Sequence, residues 1–216
     1  MENRGIAPPG YYDDEYAKRN WTAYSWIIAM IIQYSKPGAI LDIGAGCGYL
    51  VEAAMQWGLQ CVGVEGSEEG VRIAKLRDPS IRIVQHKLNA LLPFPDASFQ
   101  TIVMYQVIEH LEPCVVENTL KEAFRVLRQG GMILVFSPSK ANKKEMLADP
   151  THINLLTPTA LRMELMMCGF DDIVSIDSPL YLLGNSWVGK RLVNALHRRL
   201  RVDWLSATAN ARAYKK

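Results

Sequence analysis

Apolar positions along the chain follow two periods, and the switches between them delimit the elements. From residue 12 to residue 34, Tyr12, Tyr16, Trp21, Tyr24, Ile27, Ile28 and Ile31 recur at mostly three- and four-residue spacing. That spacing predicts an amphipathic helix, which Lys36-Pro37-Gly38 ends. A short apolar run over 39–43 then meets Gly44, Gly46 and Gly48, and 49–57 reads as a helix closed by Gly58. The alternation continues with a strand at 61–65, a helix at 67–77 and a strand at 81–85. A loop containing Pro93 and Pro95 leads to a strand at 101–105. A helix at 117–127, ended by Gly130-Gly131, precedes a strand at 132–136. A helix at 158–167 and a strand at 172–176 extend the series, and 204–214 reads as a final strand.

Strands alternating with helices at this spacing imply right-handed crossovers. The predicted fold class is α/β: a Rossmann-like, doubly wound, seven-stranded and mostly parallel sheet, its last strand antiparallel, with helices on both faces. The 216 residues suffice for one domain with a sizeable core, so the chain is read as a single unit. An excursion over about 184–201 interrupts it with a short helix. There Leu192, Val193, Leu196 and Leu200 mark one face, and Lys190, Arg191, Arg198 and Arg201 fall mostly on the other.

Composition narrows the function classes without naming one. A hydrophobic share of 49% and a charged share of 21% are those of a globular protein. The 24 basic and 22 acidic residues nearly cancel, which gives no general case for a nucleic-acid binder. Cys47, Cys61, Cys114 and Cys168 form no C-x-x-C pair and read as reduced thiols. The N-terminus lacks the blocks of a secretory signal, and the apolar stretch 26–32 is far shorter than the roughly 20 residues a membrane-spanning helix needs. The expectation is a cytoplasmic protein with no integral membrane segment; its oligomeric state is left open.

The chemistry concentrates after the first strand. In an open α/β sheet, ligands bind beyond the carboxyl ends of the strands, and Gly44-Ala45-Gly46-Cys47-Gly48 stands there. Glycines at alternate positions allow positive φ and close approach of a ligand, and the following helix offers unpaired N–H groups to a carboxylate. Glu65 ends the second strand, where an acidic side chain accepts both hydroxyls of a ribose. The pair specifies a ligand carrying a nucleoside. The dinucleotide fingerprint G-x-G-x-x-G would need a glycine at position 49, which is Tyr49.

Leu41-Asp42-Ile43-Gly44-Ala45-Gly46-Cys47-Gly48 instead resembles the first motif of class I S-adenosylmethionine-dependent methyltransferases. Val64-Glu65-Gly66-Ser67 is similar to the second. The stretches 92–99 and 106–111 look like the third and fourth, and 123–131 looks like the fifth. The resemblance, which covers about residues 12 to 176, implies S-adenosylmethionine as cofactor. It implies a 1–36 helical cap, a 37–137 cofactor-binding half and a 138–216 half on the acceptor side. By the same resemblance, Asp42, Gly44, Ala45, Gly46 and Gly48 hold the methionine end, and Glu65 holds the ribose with Gly66 and Ser67 beside it. Leu88 and Asn89 flank the adenine, Gln106 and Val107 line the floor near the sulfonium, and Tyr12 and Tyr16 close over the cofactor or simply pack on the core.

Two positions depart from the pattern. Lys87 stands where the family has an acid for the adenine amino group, and a cation cannot accept that hydrogen bond. Gln100 stands where the family often has Asp, with only a structural consequence expected.

For a hydroxyl acceptor a neutral imidazole is the natural base, and the candidate catalytic residues are His152 and His110, with packing or capping as their other role. Glu109-His110 also resembles quinone-pathway O-methyltransferases that carry an extra acid for a divalent metal. Here that position is Gln106, a poorer ligand, so no essential metal is expected. The expected acceptor is a small molecule, a sugar hydroxyl or another anionic metabolite drawn by the 190–201 cations, and not nucleic acid. The other readings are a non-catalytic cofactor-binding partner subunit and an NAD-dependent oxidoreductase.

Overall fold

The computed structural model describes residues 20–143, 149–178, 199 and 203–216. After a 3-10 turn at Trp21–Tyr24 come α1 (Ser25–Tyr34), β1 (Ile40–Ile43), α2 (Tyr49–Gln56), β2 (Cys61–Glu65), α3 (Glu68–Arg77) and β3 (Ile83–Gln85). Then follow β4 (Phe99–Tyr105), a 3-10 turn at Ile108–His110, α4 (Pro113–Val126), β5 (Leu127–Phe136), α5 (Pro158–Met167), β6 (Asp171–Ser175), a 3-10 turn at Asp203–Leu205 and β7 (Ala211–Tyr214). One seven-stranded sheet has the order β3-β2-β1-β4-β5-β7-β6. β7 runs antiparallel to both β5 and β6, and the pairs among β1 to β5 are parallel. This is the Rossmann-like, mostly parallel sheet expected from the alternation.

Strand periodicity divides the core in two. Leu41 and Ile43 of β1, Ile102 and Met104 of β4, and Ile133 and Val135 of β5 join Val116, Leu120 and Ala123 of α4 and Leu161 and Leu165 of α5. The alternate residues Ile40, Val103, Met132, Leu134 and Phe136 join Ile27, Ile28 and Ile31 of α1 and the buried face of α2. Successive side chains of a strand point to opposite faces, so near-continuous apolar runs are what a sheet covered on both sides requires. The same alternation sends Asp42, flanked by Leu41 and Ile43, to the α1 and α2 side.

The bounds of α4, β5 and β7 depart furthest from the sequence reading, the other strands and helices after α1 by two residues or fewer. α4 begins at Pro113, a residue suited to a first helical turn, and ends at Val126 before the glycines. β5 starts at once with Leu127 opposite Phe99, and the register then jumps to Thr101 opposite Met132. Gly130 (φ +71°) therefore serves a bulge instead of a helix end. The final strand covers only Ala211–Tyr214, because Asp203 turns to accept hydrogen bonds from the Thr159 amide (3.2 Å) and hydroxyl (2.9 Å) at the start of α5. Of the expected 12–34 helix, residues 12–19 lie outside the described residues, as does the 184–201 helix apart from the exposed Arg199. Gln100 is a structural residue: it is buried near the start of β4, and its side-chain amide donates to the Gly130 carbonyl (3.1 Å).

Arg125 fixes the proline loop that feeds β4. Its guanidinium donates to the carbonyls of Leu92 (3.1 Å) and Phe94 (3.0 Å), to Asp96 (2.6 Å) and to Glu122 (2.7 Å), while Glu122 accepts from the Leu92 amide (2.8 Å). Among the described residues no helix is long and apolar enough to cross a membrane.

Gly63, in the middle of β2, allows the glycine loop to lie close on the strand. A Cβ there would stand 2.6 Å from Ala45 Cβ and 3.2 Å from Val51 Cγ2. Gly63→Ala should cost about 1–3 kcal/mol by overpacking. Gly58→Ala, with open space but φ +70°, should cost about 1 kcal/mol from backbone strain alone. Denaturant unfolding of the two variants checks the ranking.

Candidate active site

At the carboxyl ends of β1 and β4 the chain leaves in opposite directions along the sheet, towards β2 on one side and β5 on the other. A crevice opens at this switch point, lined by Tyr24, Asp42, Gly44, Ala45, Gly46, Leu50, Tyr105 and Gln106. Five of the residues assigned from sequence meet here: Asp42, Gly44, Ala45, Gly46 and Gln106.

The loop has the backbone its glycines allow. Gly44, Gly46 and Gly48 have φ of +75°, +53° and +73°. At Gly44 space is equally limiting, since a Cβ would fall 2.4 Å from Val107 Cγ2. Val107 thus supports the loop from behind, buried against Gly44, and the crevice edge is left to Gln106, itself at φ +57°. Gly48 caps α2 without a side chain, so no capping oxygen competes for the first-turn amides.

Glu65 is the tie between the loop and β2. One carboxylate oxygen accepts from the Gly46 amide (2.7 Å) and the other from the Ser67 amide (2.8 Å), with the side chain buried. A carboxylate has about four acceptor positions, so two backbone donors do not exhaust it. Ser67 caps α3 by accepting from the Gly70 amide (3.2 Å). Arg77, at the far end of α3, reaches back to donate to the Cys47 carbonyl (2.8 Å) and lies 3.9 Å over the Tyr49 ring. Leu88 is half-buried against the core, while Asn89 and Lys87 are exposed on the loop after β3. The start of that loop passes Gly66, whose added Cβ would lie 3.8 Å from the His86 carbonyl.

Burial, and then the charge of Glu65, push the Asp42 carboxyl up from 3.8 to about 8. At neutral pH the carboxyl is held largely protonated until a cation compensates it.

Tyr24, Leu50 and Tyr105 are site residues the sequence reading did not assign. Tyr24 meets Tyr105 edge-on at 5.5 Å between ring centroids and stacks on Tyr49 at 6.2 Å. The available signal was positional: Tyr105 is the last residue of β4, directly before Gln106. Tyr12 and Tyr16 lie outside the described residues.

A second group stands one turn beyond Gln106. Glu109 and His110 occupy the 3-10 turn after β4, and the 149–154 segment lies over them. Its Ile153 and Asn154 amides both donate to the Glu109 carbonyl oxygen (2.9 and 3.0 Å). The His110 and His152 rings are 4.9 Å apart at an angle of 53°. The Thr151 hydroxyl donates to Asp149 Oδ1 (2.5 Å), which leaves its oxygen to accept from His110 Nδ1 (2.9 Å). Burial, and next the neighbouring His152, lower the pKa of His110, against the opposing effects of the Thr151 carbonyl and Asp149. A neutral His110 with Nδ1 protonated carries its lone pair on Nε2.

Residues 41–135 match a family model described as a methyltransferase domain. The chain is 33% identical over 135 residues to a probable S-adenosylmethionine-dependent methyltransferase of Mycolicibacterium smegmatis, a match covering 61% of this chain and 51% of that protein. It is 27% identical over 180 residues to a demethylmenaquinone methyltransferase of Tropheryma whipplei, covering 75% and 74%. Among solved structures, an S-adenosylmethionine-dependent methyltransferase of Archaeoglobus fulgidus superposes with a TM-score of 0.74 at 20% identity, covering 96% of this chain and 100% of that one. This chain spans about half the length of the first curated relatives it matches.

The raised carboxyl in the crevice has a measurable signature. Its folded pKa of about 8 exceeds the 3.8 of the unfolded chain, so the stability it contributes is complete below about pH 4 and is lost as pH rises towards 8. Asp42→Asn should flatten that part of the pH dependence and raise the melting temperature of the ligand-free protein at pH 8. Thermal unfolding of both proteins from pH 5 to 8.5 reads it.

Proposed function

We propose that this chain is a class I S-adenosylmethionine-dependent methyltransferase and transfers the methyl group of S-adenosylmethionine to a hydroxyl of a small molecule, a sugar or another anionic metabolite. The observation that carries the acceptor side is the meeting of His110 and His152 one turn beyond Gln106.

The residues present suit the cofactor. A loop in which Gly44 has no room for a Cβ and Gly48 caps α2 without a side chain takes a ligand against bare backbone. Asp42 would receive the ammonium of the methionine end, a cation that compensates its burial and restores its charge. Glu65 would accept the ribose hydroxyls while keeping its hold on the loop, and Tyr24 and Tyr105 would wall the reacting region. Leu88 and Asn89 would lie along the adenine. When bound, the cofactor supplies a methyl group activated on a sulfonium, an excellent leaving group.

The protein's part is then positioning and proton handling. The acceptor hydroxyl lies against the histidine pair. With the carbon–sulfur bond of the sulfonium breaking to leave a neutral thioether, the acceptor oxygen would take the methyl group and its proton would pass to a ring nitrogen, Nε2 in the case of His110, whose ring Thr151 holds in the tautomer that can receive it. The preference for an anionic acceptor rests on Lys190, Arg191, Arg198 and Arg201, whose positions lie outside the described residues.

Calorimetry should show micromolar binding of S-adenosylmethionine or S-adenosylhomocysteine and no comparable binding of NAD, for which position 49 lacks the third glycine. Tighter NAD binding would reverse the assignment. His152→Ala should lower turnover about a hundredfold with cofactor affinity nearly intact, the usual contribution of a general base. Single-turnover kinetics beside calorimetry separates the two effects.

A further inference from the structure

Arg77 is the last residue of α3, and 30 positions of chain separate it from Cys47. Its guanidinium nonetheless donates to the Cys47 carbonyl (2.8 Å), pairs with Glu52 of α2 (3.0 Å) and stands 3.9 Å over the centre of the Tyr49 ring. We infer that Arg77 is a positioning residue for the methionine end of the cofactor, acting through the Cys47 carbonyl and the Tyr49 ring. The inference rests on the reading of the crevice as a site for S-adenosylmethionine and names what holds that site in shape.

The Cys47–Gly48 peptide is held at both ends. Its N–H donates to the Ala45 carbonyl (2.8 Å), which closes the turn, and its carbonyl, pointing the opposite way across the planar unit, meets Arg77. Gly48 has φ +73°, and glycine takes either sign of φ at little cost, so the loop itself offers weak resistance to a flip of this peptide. A flip would break the Gly48–Ala45 bond and with it the turn that presents Gly44, Ala45 and Gly46 to the crevice. The charged donor on the Cys47 carbonyl opposes the flip, with a bond roughly twice as strong as one between neutral groups. Glu65 fastens the same loop through the Gly46 amide (2.7 Å). A carboxylate takes a donor of the loop and a guanidinium takes an acceptor.

The second contact leads to the crevice wall. Tyr49 stacks on Tyr24 at 6.2 Å between centroids and 13° between planes, and Tyr24 meets Tyr105 edge-on at 5.5 Å. Tyr24 and Tyr105 both line the crevice, so a fixed Tyr49 ring steadies the two rings beyond it. The place of Arg77 is itself set by packing. At Gly48 a Cβ would fall 2.9 Å from Ile81 Cγ2 and 3.4 Å from Ala74 Cβ, so the last turn of α3 lies directly against the loop. An arginine that served only the helix end would be satisfied by Glu52 and the negative end of the helix dipole. The bond to Cys47 goes beyond both.

The test is calorimetry of Arg77→Gln, Arg77→Lys and Glu52→Gln with two ligands, and thermal unfolding of every sample. The ligands are S-adenosylhomocysteine and 5′-methylthioadenosine, which has the adenosyl thioether but no amino-acid end. Arg77→Gln should weaken S-adenosylhomocysteine about 10-fold, the lower end of what a hydrogen bond involving a charged group is worth, and leave 5′-methylthioadenosine within about twofold. Arg77→Lys, which keeps a donor but not the planar ion, should show the same selective loss at smaller size. Glu52→Gln removes the ion pair and leaves the carbonyl contact, and should change neither affinity by more than about twofold. Unchanged S-adenosylhomocysteine affinity in both Arg77 variants, equal losses for the two ligands, or a loss in Glu52→Gln that matches Arg77→Gln overturns the inference. Failure of the unaltered protein to bind S-adenosylhomocysteine overturns the methyltransferase reading and the inference with it, so the unaltered protein tells the two failures apart.

Discussion

The bonds from the Gly46 and Ser67 amides to the two oxygens of Glu65 are the constraint on which the rest of the site depends. They join the turn after β1 to the end of β2, so the glycine loop and the start of α3 move as one piece. Gly63 lets Ala45 settle on β2, Gly70 admits the Gly46 carbonyl, and Val107 fills the place of a side chain at Gly44. Each is a small residue or a close contact that a looser loop would not need. Burial, and then the carboxylate that completes this frame, raise the pKa of Asp42, so the ligand-free crevice keeps that carboxyl largely protonated until a cationic ligand compensates its charge.

Much of the fold was legible because both sheet faces are covered. A doubly covered strand must be apolar throughout, which is why 61–65 could be bounded by its run of residues, and 158–167 by Pro158 and a helical period. Legibility failed where one residue serves tertiary needs. Gly130 looks like a helix end but carries the bulge of β5, and Trp204 looks like the start of a strand but lies in a turn set by the bonds from Asp203 to Thr159. Neither contact is local, so neither leaves a periodic trace.

The residues of the crevice were legible in the same way, because Asp42, the glycines and Glu65 lie within a continuous strand–loop–helix–strand segment. Tyr24 and Tyr105 were visible only as a helix-face aromatic and a strand-end residue. Their meeting depends on α1 lying across the ends of β4 and β5, where Trp26 packs edge-on to Phe136 at 4.9 Å. The histidine pair beyond β4 was least legible. Glu109, His110 and His152 were visible as residue types, but their juxtaposition comes from the 149–154 segment binding the Glu109 backbone, and no spacing rule encodes that.

The central claim is that Glu65 both holds the loop and receives the ribose of an adenosyl cofactor. Glu65→Gln keeps the size of the side chain but replaces one carboxylate oxygen by a donor that cannot accept from an amide. Calorimetry with S-adenosylhomocysteine is the direct measurement. The account predicts affinity lower by about 1.5–3 kcal/mol, the usual size of a hydrogen bond to a charged group, in a protein that still unfolds cooperatively. An unchanged affinity in a folded variant would contradict it.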